Sequence, residues 1–250
     1  MGMAKNLLRH FLKSTRYELA EKQKRLPAAT FDNVRLVLAW YRVVKPDAVL
    51  VQIGANDGTL DDPVGEFIRL GTLKSVLVEP IPAVFAKLTQ SYQGVSNVSL
   101  VQAAIGDSDG PATLYQVRLE RQPDYPGSSG WASFDRAHLI KHHVRPGDIA
   151  EARVPSLTLS TLLARHQLNH VDIMQIDVEG FDAEIVQMAL KLPSPPACFN
   201  FENIHLSLAT KEKLFRQLEA QGYAWTHDKY NTLALHRSLT EQLVRPPGRT

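Results

Sequence analysis

Two features of the chain have the residue types and the spacing that binding a small ligand requires. One is a glycine turn, Gly54-Ala55-Asn56-Asp57-Gly58, which follows an apolar run typical of a buried strand. The other is Glu79, which follows a second apolar run twenty-one residues after Gly58. A strand, a glycine turn and a helix bring backbone N–H groups up to a small ligand, and an acid at this offset accepts hydrogen bonds from ribose hydroxyls. Together the two features predict a nucleotide-type cofactor.

The residues inside the glycine turn distinguish between nucleotide cofactors. A dinucleotide site requires G-x-G-x-x-G with a pyrophosphate against the backbone, but here Ala55, Asn56 and Asp57 separate the two glycines. The Asp57 carboxylate would repel a diphosphate, and the P-loop lysine pattern is absent. A turn with a carboxylate and an amide suits a zwitterionic ligand that has an α-amino group and no phosphate. S-adenosylmethionine fits this description, and NAD, which charge disfavours, stays an alternative.

Further acids and a histidine follow two later apolar runs. Asp177 comes directly after the run 171–176, and Glu202 and His205 come after the run 197–201. The carboxyl ends of parallel strands open on one edge of a sheet, so these side chains should lie near the glycine turn. All three are predicted catalytic residues, with His205 and Asp177 as candidates for the general base. They could also hold a divalent metal, but their spacing does not require one, and we predict no metal.

The rest of the chain predicts the elements that position these residues. Strand-like runs alternate with helical segments, and strands that are apolar throughout indicate a parallel sheet covered on both faces. We predict an α/β fold with a Rossmann-like doubly wound sheet, mostly parallel, with an antiparallel C-terminal edge strand and additional N-terminal helices. The predicted strands are 48–53, 75–78, 98–103, 112–117, 171–176, 197–201, 222–227 and 231–236, and the helices between them are 61–70, 82–92, 158–166, 182–192 and 208–221.

Three parts make up the predicted domain organisation. Residues 1–46 form a helical extension, residues 47–236 the cofactor-binding domain and residues 237–250 a flexible tail. Within the domain, residues 118–150 interrupt the alternation with clusters of Pro, Gly and Ser, as a lid or an insertion loop does. His142 and His143 lie in this stretch, and we expect both to be solvated.

Charge and composition limit the partners. The net charge is +2, but residues 1–26 carry +5, residues 237–250 carry +2 and the body between them carries −5. A nucleic-acid binder is basic across its main face, so no nucleic-acid partner is expected. With one cysteine, no secretory signal and no apolar run of about 18 residues, the predicted location is cytoplasmic. The basic amphipathic helix at 4–25 could dock on the domain, on a second subunit of a homodimer or on an anionic membrane surface.

Several motifs resemble, in order, those of the FkbM-type S-adenosylmethionine-dependent methyltransferases. The similarity covers roughly residues 48–236, and where that family often has an acid two residues before the first glycine, this chain has Gln52. The matching pieces are Val51-Gln52-Ile53-Gly54-Ala55-Asn56-Asp57-Gly58, Val78-Glu79-Pro80, Ala103-Ala104-Ile105-Gly106-Asp107, Thr158-Leu159-Ser160-Thr161-Leu162 and Ile176-Asp177-Val178-Glu179-Gly180-Phe181, with later pieces at 201–207 and 231–234.

This resemblance implies O-methylation of a hydroxyl on a sugar, glycan or natural product, with S-adenosylmethionine as the cofactor. The glycine turn would approach the methionine part, Glu79 the ribose, and Ala104 with Ile105 the adenine. The implied cofactor residues are Gly54, Ala55, Asn56, Asp57, Gly58, Glu79, Pro80, Ala104 and Ile105. Two alternatives remain: an NAD-dependent oxidoreductase, and a non-catalytic scaffold or regulatory protein that keeps the fold.

Overall fold

The apolar runs of the sequence form the strands of a central sheet. The computed structural model describes residues 33–239. In chain order the elements are α1 (Asn33–Val44), β1 (Val49–Ile53), α2 (Gly65–Arg69), β2 (Lys74–Val78), α3 (Pro82–Ser91), β3 (Val98–Val101), β4 (Ala104–Ile105), β5 (Gly110–Val117), β6 (Ala132–Ser133), α4 (Arg136–Lys141), β7 (Ile149–Leu157), α5 (Leu159–Arg165), β8 (Ile173–Ile176), α6 (Asp182–Ala189), β9 (Cys198–Glu202), α7 (Leu208–Ala220), β10 (Tyr223–His227) and β11 (Asn231–His236).

Seven strands form the main sheet, in the order β10-β11-β9-β8-β1-β2-β3. The five strands from β9 to β3 are parallel to one another, and β11 runs antiparallel to both β9 and β10. The prediction of a mostly parallel sheet with an antiparallel strand at its C-terminal edge is confirmed, with β10 flanking β11 on the outside. The strand order reverses between β1 and β8, and open α/β sheets bind ligands at such a switch point.

Helices cover both faces of this sheet, as predicted for a doubly wound fold. Alternate residues of a strand point to opposite faces. Leu50 of β1 packs with the apolar residues of α1, α2 and α3, whereas Val51 packs with those of α5, α6 and α7. In α1 the buried residues are Val34, Val37, Leu38 and Tyr41, which lie on one side of the helix.

A second, four-stranded sheet was not predicted. Its order is β4-β7-β5-β6, and β7 pairs antiparallel with β5 from Gly110↔Ser156 to Val117↔Ile149. Strand β7 was not predicted because much of its length is exposed, and its sequence therefore lacks a continuous apolar run. The side chain of Thr158, which follows β7, accepts a hydrogen bond from the N–H of Thr161 and caps the start of α5.

Residues 118–150 are not the irregular loop that their composition indicated. They contain three 3-10 segments, strand β6, helix α4 and the start of β7. Leu139 and Val144 pack against Val117 and Ile149 in a small apolar cluster of their own. The residues between the paired ends of β5 and β7 (118–148) therefore form an ordered insertion.

Some predictions concern residues outside 33–239. The helix at 4–25, with its membrane or subunit contacts, and nearly all of the tail lie there. Within the described part of the chain, no helix is long and apolar enough to cross a membrane.

Replacing Gly54 by alanine should destabilise the fold far more than replacing Gly94. Both glycines have positive φ, 81° and 79°, so each alanine pays about 1–2 kcal/mol of backbone strain. A Cβ on Gly54 would also overlap the carbonyl oxygen of Asp177, whereas a Cβ on Gly94 meets no atom within 4 Å. Overpacking adds about 1–3 kcal/mol or more. Urea unfolding of Gly54→Ala and Gly94→Ala should show this difference, and equal losses would contradict the close approach of β1 and β8.

Candidate functional site

Two adjoining cavities open at the switch point of the main sheet. The larger encloses about 860 Å³, within the range of about 300–1,000 Å³ typical of ligand sites. The smaller is a slot of about 40 Å³ beside the end of β2, room for one or two water molecules. Gly54, Glu79 and Asp177 border both cavities, so the two spaces form one site.

The glycine turn is fastened to the ends of the two neighbouring strands. The N–H groups of Gly54 and Ala55 both donate to the carbonyl oxygen of Val78, at 3.0 and 2.9 Å. On the other side, Gly54 lies against the backbone of Asp177, which explains why this position has no side chain. Asn56, at a positive φ of 48°, borders the larger cavity. The turn is thus a rigid edge of the site.

The structure places Asp57 and Gly58 outside the linings of both cavities. The Asp57 carboxylate accepts hydrogen bonds from the backbone N–H and hydroxyl of Thr59 and from the N–H of Leu60, at 2.7–2.9 Å. A Cβ on Gly58 would lie 2.6 Å from the Tyr92 ring. Both residues therefore shape the turn, and this geometry does not support the predicted contacts of Asp57 and Gly58 with the methionine part.

Glu79 lies at the junction of the two cavities and is only 6% exposed. Its oxygens accept hydrogen bonds from the N–H groups of Asn56, at 3.1 Å, and Ile81, at 2.9 Å. Burial raises the pKa of Glu79 to about 7, although the two N–H donors favour the ionised form. The position agrees with the predicted ribose partner, whose contact with Glu79 stays a prediction.

The slot has the walls predicted for an adenine site. Pro80, Ala104 and Ile105 line it on the side of the main domain, and Phe134 of the insertion lines it on the other. At about 40 Å³ the space is too small for a purine, so adenine requires the walls to move apart. Phe134 belongs to the insertion, is only partly buried and packs against the ring of Phe181 at 5.0 Å between centroids.

Gln52 provides a polar group that fits the cofactor's amino acid end. Its side-chain Nε2 donates to Asp62 Oδ1 at 3.2 Å, while its Oε1 is buried without a hydrogen-bond partner among the described residues. Both residues line the larger cavity beside the glycine turn. An unsatisfied buried acceptor is costly, and the α-ammonium group of a methionine moiety would satisfy it. The site therefore fits S-adenosylmethionine although the acid common in the family is replaced by Gln52.

The three predicted catalytic residues meet in the larger cavity. His205 Nε2 lies 3.3 Å from Glu202 Oε2. Burial raises the pKa of Asp177, with nearby Glu179 adding to the effect, and burial likewise raises the pKa of Glu202. Burial lowers the pKa of His205 to about 4, against the opposing influence of Glu179. At neutral pH the imidazole is therefore uncharged.

Two further histidines join this group, and the sequence analysis missed both. His138 Nε2 lies 2.9 Å from Glu179 Oε2. The ring of His142 lies 4.6 Å from that of His138, 4.7 Å from that of His205 and 4.8 Å from that of Trp131, measured between centroids. The expectation that His142 is merely solvated was wrong, because Trp131 and the other two imidazoles enclose it. The missed signal is the i, i+4 spacing of His138 and His142, which puts both on one face of a helical segment.

The fold and the cofactor side of the site are those of an α/β enzyme that binds a nucleotide cofactor. The family model for the Methyltransferase FkbM domain matches residues 52–227. The chain therefore belongs to this family of methyltransferases, and S-adenosylmethionine is its cofactor. The resemblance seen in the sequence is confirmed.

Several solved structures are similar to the chain at low identity. Methyltransferase FkbM from Methylobacillus flagellatus KT shares 12% identity at a TM-score of 0.44, over 76% of this chain and 44% of that one. A precorrin-6y C5,15-methyltransferase from Geobacter metallireducens GS-15 shares 16% identity at a TM-score of 0.40, over 81% and 88% of the two chains. No curated protein matches the sequence. None of these similarities bears on the substrate.

Affinity for the cofactor product should depend on the ionisation of Glu79. The ionised carboxylate is the better acceptor for ribose hydroxyls, so with a pKa of about 7, S-adenosylhomocysteine should bind about tenfold more weakly at pH 6 than at pH 8. Stability of the free protein should change in the opposite direction. The folded pKa exceeds the usual 4.5, so the contribution of the buried neutral carboxyl is fully present below about pH 4.5 and is lost as pH rises through about 7.

Calorimetric titration and thermal unfolding between pH 5.5 and 8.5 measure the two effects. The matched variant is Glu79→Gln, which cannot ionise, and both dependences should be smaller in it. An identical pH dependence in the wild type and in Glu79→Gln would assign the titration to another group.

Proposed function

We propose that this methyltransferase O-methylates a hydroxyl of a sugar, glycan or natural product. The observation that carries the proposal is the Asp177 carboxylate, which borders both cavities. A hydroxyl oxygen must lose its proton as it accepts a methyl group. A polar cavity of about 860 Å³ also suits a hydroxyl-rich acceptor larger than a metabolite fragment.

The cofactor would lie along the ends of β1 and β2. Bound S-adenosylmethionine supplies a methyl group on a sulfonium, which becomes a neutral thioether when the methyl leaves. Gln52 Oε1 accepts from the α-ammonium group, Glu79 accepts from the ribose, and Ala104 and Ile105 contact the adenine. The protein's task is then to align the acceptor oxygen and take up its proton.

Asp177 is the carboxylate best placed for that proton. Glu79 is hydrogen bonded by two backbone N–H groups and Glu179 by His138. Glu202 borders only the larger cavity, whereas Asp177 borders both. Within residues 33–239, the Asp177 side chain has no such partner, and its backbone is held against Gly54. As the acceptor's O–C bond forms, its O–H bond breaks and the proton passes to Asp177. His205, the other predicted base, lies among the imidazoles of His138 and His142.

Binding and turnover experiments separate this proposal from its rivals. S-adenosylhomocysteine should bind in calorimetric titration and NAD should not, whereas an oxidoreductase requires the reverse. Labelled methyl transfer is then screened on activated sugars, lipid-linked glycans and hydroxylated natural products. Turnover of any hydroxyl acceptor excludes a non-catalytic scaffold. Failure of S-adenosylhomocysteine to bind would overturn the cofactor side, and methylation confined to nitrogen acceptors would overturn O-methylation.

Substituting Asp177 by asparagine should abolish turnover and preserve cofactor binding. The amide keeps the size of the carboxylate but cannot take up a proton, so methyl transfer should fall about 100-fold or more. Affinity for S-adenosylhomocysteine should stay within a factor of about three, because the predicted cofactor contacts are elsewhere. Undiminished transfer by Asp177→Asn would reassign the base.

Substituting Gln52 by leucine tests the amino acid end of the cofactor site. Leucine keeps the bulk but removes the acceptor, so S-adenosylhomocysteine should bind about tenfold or more weakly, as for a lost hydrogen bond to a charged group. 5′-Methylthioadenosine, which lacks the amino acid, should bind Gln52→Leu and wild type equally. Equal losses for both ligands would show that the substitution disturbs the site as a whole.

A further inference from the structure

Three imidazoles and a carboxylate converge on one point beside the larger cavity. His138 and His142 come from the insertion, Glu179 from the turn after β8, and His205 from the segment after β9. One potential ligand atom from each lies within 4.8 Å of all the others. The centroids of the three rings are 4.6–4.7 Å apart in every pairing. Segments far apart in sequence therefore supply a compact set of nitrogen and oxygen donors.

Hydrogen bonding within the cluster does not satisfy its acceptors. Glu202 Oε2 lies 3.3 Å from His205 Nε2, yet it is buried and makes no hydrogen bond of acceptable geometry among the described residues. His138 already bonds Glu179 Oε2, and His205 lies 3.6 Å from the same oxygen. Glu179 and Glu202 thus share few donors, and a cation between the rings would bind the Glu179 carboxylate.

The backbone around Glu179 is strained in a way that holds its side chain at this point. Glu179 has a φ of 54° although it has a side chain, and Gly180 follows with a φ of 99°. Ser133 Oγ donates to the Glu179 carbonyl oxygen at 2.8 Å, which ties the turn to the insertion. Backbone strain of this kind is concentrated at functional sites.

We propose that His138, His142, Glu179 and His205 form a binding site for a divalent transition-metal ion. Imidazole-rich sites suit zinc and its neighbours rather than magnesium or calcium. Tetrahedral ligands at about 2.1 Å from zinc are about 3.4 Å apart, so atoms now up to 4.8 Å apart need only small side-chain rotations. Glu202 then supports the site by its contact with His205. Of the metal set considered from the sequence, only His205 is retained.

The position of the site suggests a role that rests on the proposed function. His142, Glu179 and His205 all border the larger cavity, as Asp177 does. An ion held there could bind the acceptor's oxygen and make its proton easier to remove. Metal binding itself does not depend on that role.

Metal titration of the full chain tests the site directly. After treatment with a chelator, the protein is titrated with Zn²⁺ by calorimetry and with Co²⁺, whose visible absorption reports its ligand geometry. One ion per chain should bind, with a tetrahedral or five-coordinate cobalt spectrum. His142→Ala and Glu179→Gln should each weaken binding at least tenfold. The matched control His143→Ala, one residue along and exposed, should bind as the wild type does.

Circular dichroism and S-adenosylhomocysteine affinity establish that each variant is folded. Absence of Zn²⁺ and Co²⁺ binding in the wild type, or equal weakening in His142→Ala and His143→Ala, would overturn the metal site. If a folded His142→Ala cannot be obtained, the isosteric Glu179→Gln decides the question. Metal binding without S-adenosylhomocysteine binding would preserve this inference and refute the proposed function. S-adenosylhomocysteine binding without metal binding would do the opposite.

Discussion

The site depends on the close approach of two backbones, where Gly54 follows β1 and Asp177 follows β8. These strands are adjacent and parallel, with Ile53 in register with Ile176. The carbonyl oxygen of Asp177 occupies the space that a side chain at position 54 would need. The glycine turn and Asp177, the proposed base, are thus parts of one rigid unit. Catalysis by alignment requires a fixed geometry of this kind.

A second constraint is the concentration of negative charge at the carboxyl edge of the sheet. Glu79, Asp177, Glu179 and Glu202 border the cavities, and among the described Lys and Arg residues only Arg35 lines the larger one. Burying carboxylates without a paired positive charge is costly, and the raised pKa values of Glu79, Asp177 and Glu202 are one expression of that cost. Positively charged ligands relieve it. A sulfonium, an ammonium group and a metal ion each bring such a charge. The energetic cost of burying these carboxylates in the free protein therefore favours the binding of cationic ligands.

The sequence was informative wherever structure follows from local pattern. Apolar strands, the glycine turn and the acid at residue 79 are short-range features, and their places in the sheet follow from its parallel order.

Helix α2 begins at Gly65 rather than near residue 61, because the Asp62 carboxylate accepts the N–H groups of Val64 and Gly65.

The failures lie in the insertion, whose elements are held by tertiary packing. Strand β6 has two residues and α4 has six. Both are too short to show a hydrophobic period from which the element could be predicted. Leu139 and Val144 are buried only because β5 and β7 pair beneath them. His138 and His142 contact His205, which lies more than 60 residues further along the chain. Spacing along the sequence cannot predict such a contact.

The pairing of Val117 with Ile149 has an evolutionary consequence. Residues 118–148 begin and end next to each other, at one residue pair of a hairpin. The segment is therefore a cassette whose length and sequence can diverge with little effect on the stability of β5 and β7. It contributes Trp131, Phe134 and two of the four imidazole and carboxylate donors. Descendants of this chain could exchange the cassette and acquire new acceptors, while β1, β2 and the glycine turn stay as they are.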